Sequence, residues 1–133
     1  MAWRCKNRFG NDHSRGRVFS GPYSYDSRFG EHQGTNPEQL IAAAQAGCFT
    51  MALASKLASG GHPPDLLRTN ATVHLRTHDG SITLARLEIE TEGRVKHRRA
   101  TVFAIRRRRE GDRPVARALS SIPEIVLKAK LTG

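Results

Sequence analysis

One thiol stands where a nucleophile would be useful. Cys48 lies near the middle of the run Leu40-Ile41-Ala42-Ala43-Ala44-Gln45-Ala46-Gly47-Cys48-Phe49-Thr50-Met51-Ala52-Leu53. A thiol on an apolar helix is either an inert core filler or, given a nearby cation and a route for substrate, a reactive centre. The candidate cations are Arg28, upstream of the run, and the histidines. Glu38, two residues before the run, reads by itself as an acid in the first turn of a helix. His13, His32, His62, His74, His78 and His97 show no metal-ligand spacing. The chain has no phosphate loop, no Gly-x-Ser-x-Gly elbow and no dinucleotide fingerprint. The residues alone leave Cys48 open between filler and nucleophile.

The elements that must position these groups follow from the pattern. Residues 1–17 read as irregular, and Val18-Phe19 as the start of a short strand. Gly21-Pro22 reads as a turn. Tyr23-Ser24-Tyr25-Asp26-Ser27-Arg28-Phe29 alternates large and small residues, as a strand does. After a loop over 30–34 a helix begins, either from the capping box Thr35-x-x-Glu38 or from Asn36 with Pro37 in the first helical position. Leu40, Ile41, Ala44, Cys48, Met51, Ala52 and Ser55 recur at three- and four-residue steps and predict the buried stripe. Gly60-Gly61-His62-Pro63-Pro64 ends the helix. Period-two alternation then predicts a hairpin over 69–92, turning at His78-Asp79-Gly80. A second helical region over 99–119, interrupted at Gly111 and Pro114, leads to a last strand over 124–132. Strands segregate from helices, so the expected class is α+β, with antiparallel sheets packed on a central alanine-rich helix.

Composition bounds the rest. A chain of 133 residues with 38% hydrophobic residues suits one globular domain over 1–133. No unbroken run of 18 apolar residues occurs, so neither a membrane helix nor a membrane partner is expected. The first residues lack the apolar segment of a signal peptide, and two cysteines make no disulfide framework; a cytoplasmic location is the expectation. The net charge of +10 is uneven. Residues 1–17 and 94–117 are basic, and the segment between them is slightly acidic. Arg106-Arg107-Arg108-Arg109 suits polyanions, yet no aromatics alternate with it, so a solvated basic face is preferred to a nucleic-acid site.

From about residue 22 to 95, and again from 113 to the end, the chain resembles the OsmC family, kin of the organic hydroperoxide resistance (Ohr) proteins. The resemblance rests on Pro22-Tyr23-Ser24-Tyr25-Asp26-Ser27-Arg28-Phe29, on Gly34-Thr35-Asn36-Pro37-Glu38-Gln39-Leu40-Ile41-Ala42-Ala43-Ala44 and on Ala46-Gly47-Cys48-Phe49-Thr50-Met51-Ala52-Leu53. It resumes at Arg113-Pro114-Val115-Ala116-Arg117-Ala118-Leu119-Ser120. It implies a thiol-dependent peroxidase of organic hydroperoxides, and more weakly of hydrogen peroxide, in stress defence. It also implies an intertwined homodimer with its site at the interface. Cys48 matches the peroxidatic cysteine, Arg28 the arginine that stabilises the thiolate and orients the peroxide, and Glu38 the glutamate that holds that arginine. No cofactor or metal is implied, only an external thiol reductant.

Two departures accompany the resemblance. The family places a second, resolving cysteine just before the Pro-Val pair, where this chain has Arg113. Cys5 does not match that position, so an external thiol is expected to resolve Cys48, and use of the family's lipoyl-type reductants is in question. The divergent stretches, 1–17 and 96–113, coincide with the basic ones. The alternative reading is therefore an impaired relic, or a module that binds polyanions through those arginines. Glu38 and Cys48 are ten residues apart, about 15 Å along a straight helix. A site using both is simplest across two chains.

Overall fold

A computed structural model describes residues 3–8, 17–31, 33–95 and 114–132. They form β1 (Trp3–Arg8), β2 (Arg17–Tyr23), α1 (Tyr25–Phe29), α2 (Pro37–Ser59), β3 (Pro64–His78), β4 (Ser81–Val95), α3 (Pro114–Ala118) and β5 (Glu124–Thr132). The chain divides into two compact units, residues 1–40 and 41–133.

In the first unit β1 and β2 pair antiparallel, from Trp3 opposite Tyr23 to Arg8 opposite Arg17. The opening stretch therefore contains a strand that its composition did not suggest. Gly21-Pro22 lies within β2 rather than at a turn. The segment 25–29, expected as a strand, is the short helix α1. Its cause is local: Ser24 caps it, and the Ser24 and Ser27 side chains each accept from the other's backbone N–H, at 3.1 and 2.8 Å. Tyr25 and Phe29, four residues apart, then meet with their rings tilted by 51° and the centroids 5.0 Å apart.

The second unit holds most of α2 and a three-stranded sheet in the order β3-β4-β5. The α+β expectation stands, but the sheet is mixed. β3 and β4 form an antiparallel hairpin, whereas β5 runs parallel to β4, from Glu124 beside Arg86 to Thr132 beside Arg94. A parallel neighbour needs a long crossover, and residues 96–123 supply it. The hairpin turns at Asp79 and Gly80, both at positive φ (48° and 74°), as a two-residue turn matched to strand twist requires. α3 begins at Pro114, a position that suits a residue with no N–H to offer. The rest of the helix expected over 99–119 falls at 99–113, outside the described residues, as do Arg106 to Arg109.

The core joins Phe49, Leu53 and Leu57 of α2 to Leu87, Ile89 and Val95 of β4 and to Ile122. Leu57 and Leu87 are fully buried, each worth roughly 1.5–3 kcal/mol of apolar burial. The buried stripe of α2 in this unit is thus Ala42, Gln45, Phe49, Leu53 and Leu57. It lies on the other side of the helix from the stripe expected. Alanine on every face left the phase of α2 to its few bulky residues, and Met51, assigned to the core side, is 75% exposed. Over 18 residues α2 reaches a mean hydropathy of 1.4, enough by length and composition to cross a membrane. The expectation of no such helix had rested on an unbroken apolar run. Helices that pack in a core pass the same test, and α2 packs on the sheet through Phe49, Leu53 and Leu57.

Candidate active site

The first unit brings Arg28 and Glu38 together. Asn36, not Thr35, caps α2: its Oδ1 accepts from the Gln39 N–H at 2.8 Å, while the Thr35 hydroxyl donates to Gln39 Oε1 at 3.2 Å. Glu38 is thereby released from a capping box. α1 is tied to the start of α2 through Ser27, whose hydroxyl lies 2.9 Å from the Thr35 carbonyl, and the end of β2 is tied there too, the Thr35 N–H donating to the Pro22 carbonyl at 3.0 Å. Gly34 permits this approach, since a Cβ there would sit 2.9 Å from Ser27 Cβ. With the helices so tied, Arg28 forks onto Glu38. Nε is 3.1 Å from each carboxylate oxygen, and Nη2 donates to Oε1.

Glu38 is only 9% exposed, so its carboxylate needs this partner. The Arg28 side chain remains 35% exposed, and its guanidinium lies 4.8 Å from the Phe29 ring centre. A guanidinium held bidentately from one side is fixed in direction. Its remaining N–H groups can meet an anion or a developing negative oxygen.

Cys48 belongs to the second unit. It is a free, half-buried thiol on the flank of α2, between the sheet-facing stripe and the exposed side. Ile41 and Ala44, two turns and one turn before it on that flank, line a shallow apolar depression of about 280 Å³ with Pro114, Val115, Ala118 and Leu119. Its floor is almost wholly carbon. Arg113, next to Pro114, lies outside the described residues.

Two polar features of α2 were not singled out from the sequence. Thr50 lies 2.8 Å from the Ala46 carbonyl and 2.6 Å from the Thr69 hydroxyl. Thr69 lies 3.0 Å from the Thr91 hydroxyl, and Thr91 lies 3.1 Å from the Arg68 carbonyl. This hydroxyl chain ties α2, two residues beyond Cys48, to β3 and β4. The second feature is Gln45, 2% exposed, whose Oε1 has no hydrogen-bond partner among the described residues. Both become visible in the sequence once Phe49, Leu53 and Leu57 set the phase of the helix. Among the described residues no three His, Cys, Asp or Glu side chains converge as metal ligands.

Comparison with known proteins adds the following. A family model for OsmC-like proteins matches residues 30–128. Peroxiredoxin OsmC of Escherichia coli (strain K12) is 35% identical over 112 residues, which cover 84% of this chain and 73% of that protein. A solved organic hydroperoxide resistance protein OsmC from Legionella pneumophila superposes with a TM-score of 0.60 at 18% identity, over 100% of this chain and 96% of that one. An OsmC-like protein of unknown function from Vibrio cholerae O1 biovar eltor gives a TM-score of 0.67 at 12% identity, over 97% of each chain. At such identities the structural likeness concerns the fold.

Proposed function

Since the chain belongs to the OsmC-like family, we propose that it is a thiol-dependent peroxidase that reduces organic hydroperoxides to alcohols through Cys48. The observation that carries the reading is the Arg28–Glu38 fork, because the buried carboxylate aims a permanently charged group that stays accessible. The 35% identity to a peroxiredoxin supports peroxide chemistry in general. The carbon-lined depression that begins at Ala44, one helical turn before Cys48, supports an organic peroxide over hydrogen peroxide, since an alkyl or aryl group gains by leaving water there.

In the proposed cycle the Cys48 thiolate attacks the terminal oxygen of R–O–O–H. The O–O bond breaks, the sulfur becomes a sulfenic acid, and R–O⁻ leaves and takes up a proton as the alcohol. Arg28 faces the charge that passes from sulfur to the leaving oxygen. An external thiol then displaces hydroxide from the sulfenic sulfur, giving a mixed disulfide and water. A second thiol frees Cys48.

A second copy of the chain completes the proposed site. α2 runs unbroken from Pro37 to Ser59, so Cys48 lies ten helical positions beyond Glu38, about 15 Å along the axis. The exposed side of α2, with Ala43, Ala44, Gly47 and Met51, offers the small and apolar residues that a closely packed partner helix would cover.

Turnover with cumene hydroperoxide tests the reading. Cumyl alcohol should form at the expense of dithiothreitol or dihydrolipoamide, and Cys48→Ser should abolish its formation. Undiminished turnover by Cys48→Ser would end the proposal.

A further inference from the structure

Gln45 is a buried polar side chain with no evident structural task. Its Oε1 lies under the surface without a donor among the described residues, an arrangement that costs stability wherever it occurs. It precedes Cys48 by three residues, so the two side chains are neighbours on the surface of α2. It follows Ile41 by four, so it also neighbours one of the side chains that line the apolar depression. An acceptor lacking a donor thus stands beside a thiol lacking a resolving partner in sequence.

We propose that Gln45 accepts the hydrogen bond of the hydroxyl that Cys48 acquires from the peroxide, and so preserves the sulfenic acid until a thiol arrives. The inference rests on the peroxidase reading above. When the thiolate takes the terminal oxygen of R–O–O–H, that oxygen keeps its proton and becomes the Sγ–O–H group, a new donor. Gln45 Oε1 is an acceptor, and its three side-chain torsions give it reach. The hydrogen bond favours the protonated sulfenic acid over the sulfenate anion. The anion is the nucleophile that a second peroxide oxidises to sulfinic acid, which external thiols do not reverse. With Arg113 where the family has its resolving cysteine, the sulfenic acid must wait for a collision with an external thiol. Resistance to the second oxidation is the property such a waiting state needs.

Removing the acceptor should therefore separate stability from chemistry. In a Cys5→Ser background, the full chain and its Gln45→Met variant are reduced, freed of thiol and exposed to one equivalent and then an excess of cumene hydroperoxide. Intact mass and dimedone trapping follow the sulfenic and sulfinic states, and thermal melting follows the fold. Gln45→Met keeps the length of the side chain and removes the orphaned oxygen. It should melt no lower than the parent, form sulfenic acid at the parent's rate, and pass to sulfinic acid several-fold faster. Gln45→Leu provides the same reading should the methionine variant fail to fold. Parental rates of sulfinic acid formation in a folded variant would overturn the role of Gln45 while leaving the peroxidase intact. A parent whose Cys48 is not oxidised by one equivalent would overturn both.

Discussion

Arg28 meets Glu38 with its Nε 3.1 Å from both carboxylate oxygens, while Nη2 donates to one of them. Neither residue makes the other informative in the sequence, where ten positions separate them. The pairing follows from two local events, the serine cap that turns 25–29 into a helix and the Asn36 cap that leaves Glu38 free. If this fork aims the charge that peroxide cleavage requires, Arg28→Ala should slow Cys48 oxidation by about 10²-fold. Arg28→Lys should recover little of it, because an ammonium cannot fork onto a carboxylate. Stopped-flow oxidation of the two variants, with melting curves to establish folding, checks this. A lysine variant as fast as the parent would show that charge alone suffices.

A site shared by two chains makes a prediction about mixtures. Glu38→Ala chains and Cys48→Ser chains should each be weak or inactive as pure proteins. Refolded together in equal amounts, they should recover up to about a quarter of parental turnover, because half the dimers are mixed and each has one complete site. Activity that stays at the sum of the two pure variants would place all three residues in one chain.

The hydroxyl chain beyond Cys48 carries a proton shortage. Thr50, Thr69 and Thr91 bring three protons to four oxygen contacts, and the Ala46 and Arg68 carbonyls can only accept. Whenever Thr50 and Thr91 serve the carbonyls, Thr69 can donate to just one of its neighbours. Thr69→Val should then cost about 1 kcal/mol, the worth of a single net hydrogen bond. Urea unfolding measures it. A loss of about 3 kcal/mol, as for breaking a fully satisfied buried network, would contradict this count.

On the parallel ladder, Lys128 donates to Glu90 at 2.9 Å. That hydrogen bond, reinforced by the charges of Glu90 and Glu88, holds the Lys128 ammonium above its ordinary pKa of 10.5. A raised folded-state value means that the pair stabilises fully below 10.5 and that the gain is lost as pH climbs through the folded value. The urea midpoints of the parent and Glu90→Gln should thus differ slightly at neutral pH and low salt. They should converge at strongly alkaline pH, and also in high salt because the pair is exposed. A gap unchanged by either condition would assign the effect of the substitution to something other than charge.

Much of this architecture was readable from residue pattern, and the misreadings share a cause. The hairpin was legible because Leu87 and Ile89 alternate with Glu88 and Glu90 and because Asp79-Gly80 suits only a tight turn. The end of α2 was legible in Gly60-Gly61-His62-Pro63-Pro64, where the His62 N–H returns to the Leu57 carbonyl at 2.9 Å. The buried face of α2 was not, since alanines satisfy every phase and only packing against β4 and Ile122 selects Phe49, Leu53 and Leu57. The direction of β5 was equally hidden, because alternation within a strand is the same whichever way its neighbour runs. α1 was misread because a large–small alternation over seven residues competes with a reciprocal serine cap, and the cap prevailed. The grouping of Cys48 with Arg28 and Glu38 comes from the family resemblance alone, and of the three the structure brings Arg28 and Glu38 together. Gln45 and the threonine chain had to await the phase of the helix.

The central claim is that Cys48 is a peroxidatic thiol suited to organic peroxides. Its most direct test is stopped-flow oxidation of the reduced protein by stoichiometric cumene hydroperoxide and, separately, hydrogen peroxide, with Cys48→Ser as control. The account predicts rapid formation of one sulfenic acid at Cys48, faster with cumene hydroperoxide, and none in the serine variant. Oxidation no faster than that of a free thiol in solution, with no preference between the peroxides, would contradict it.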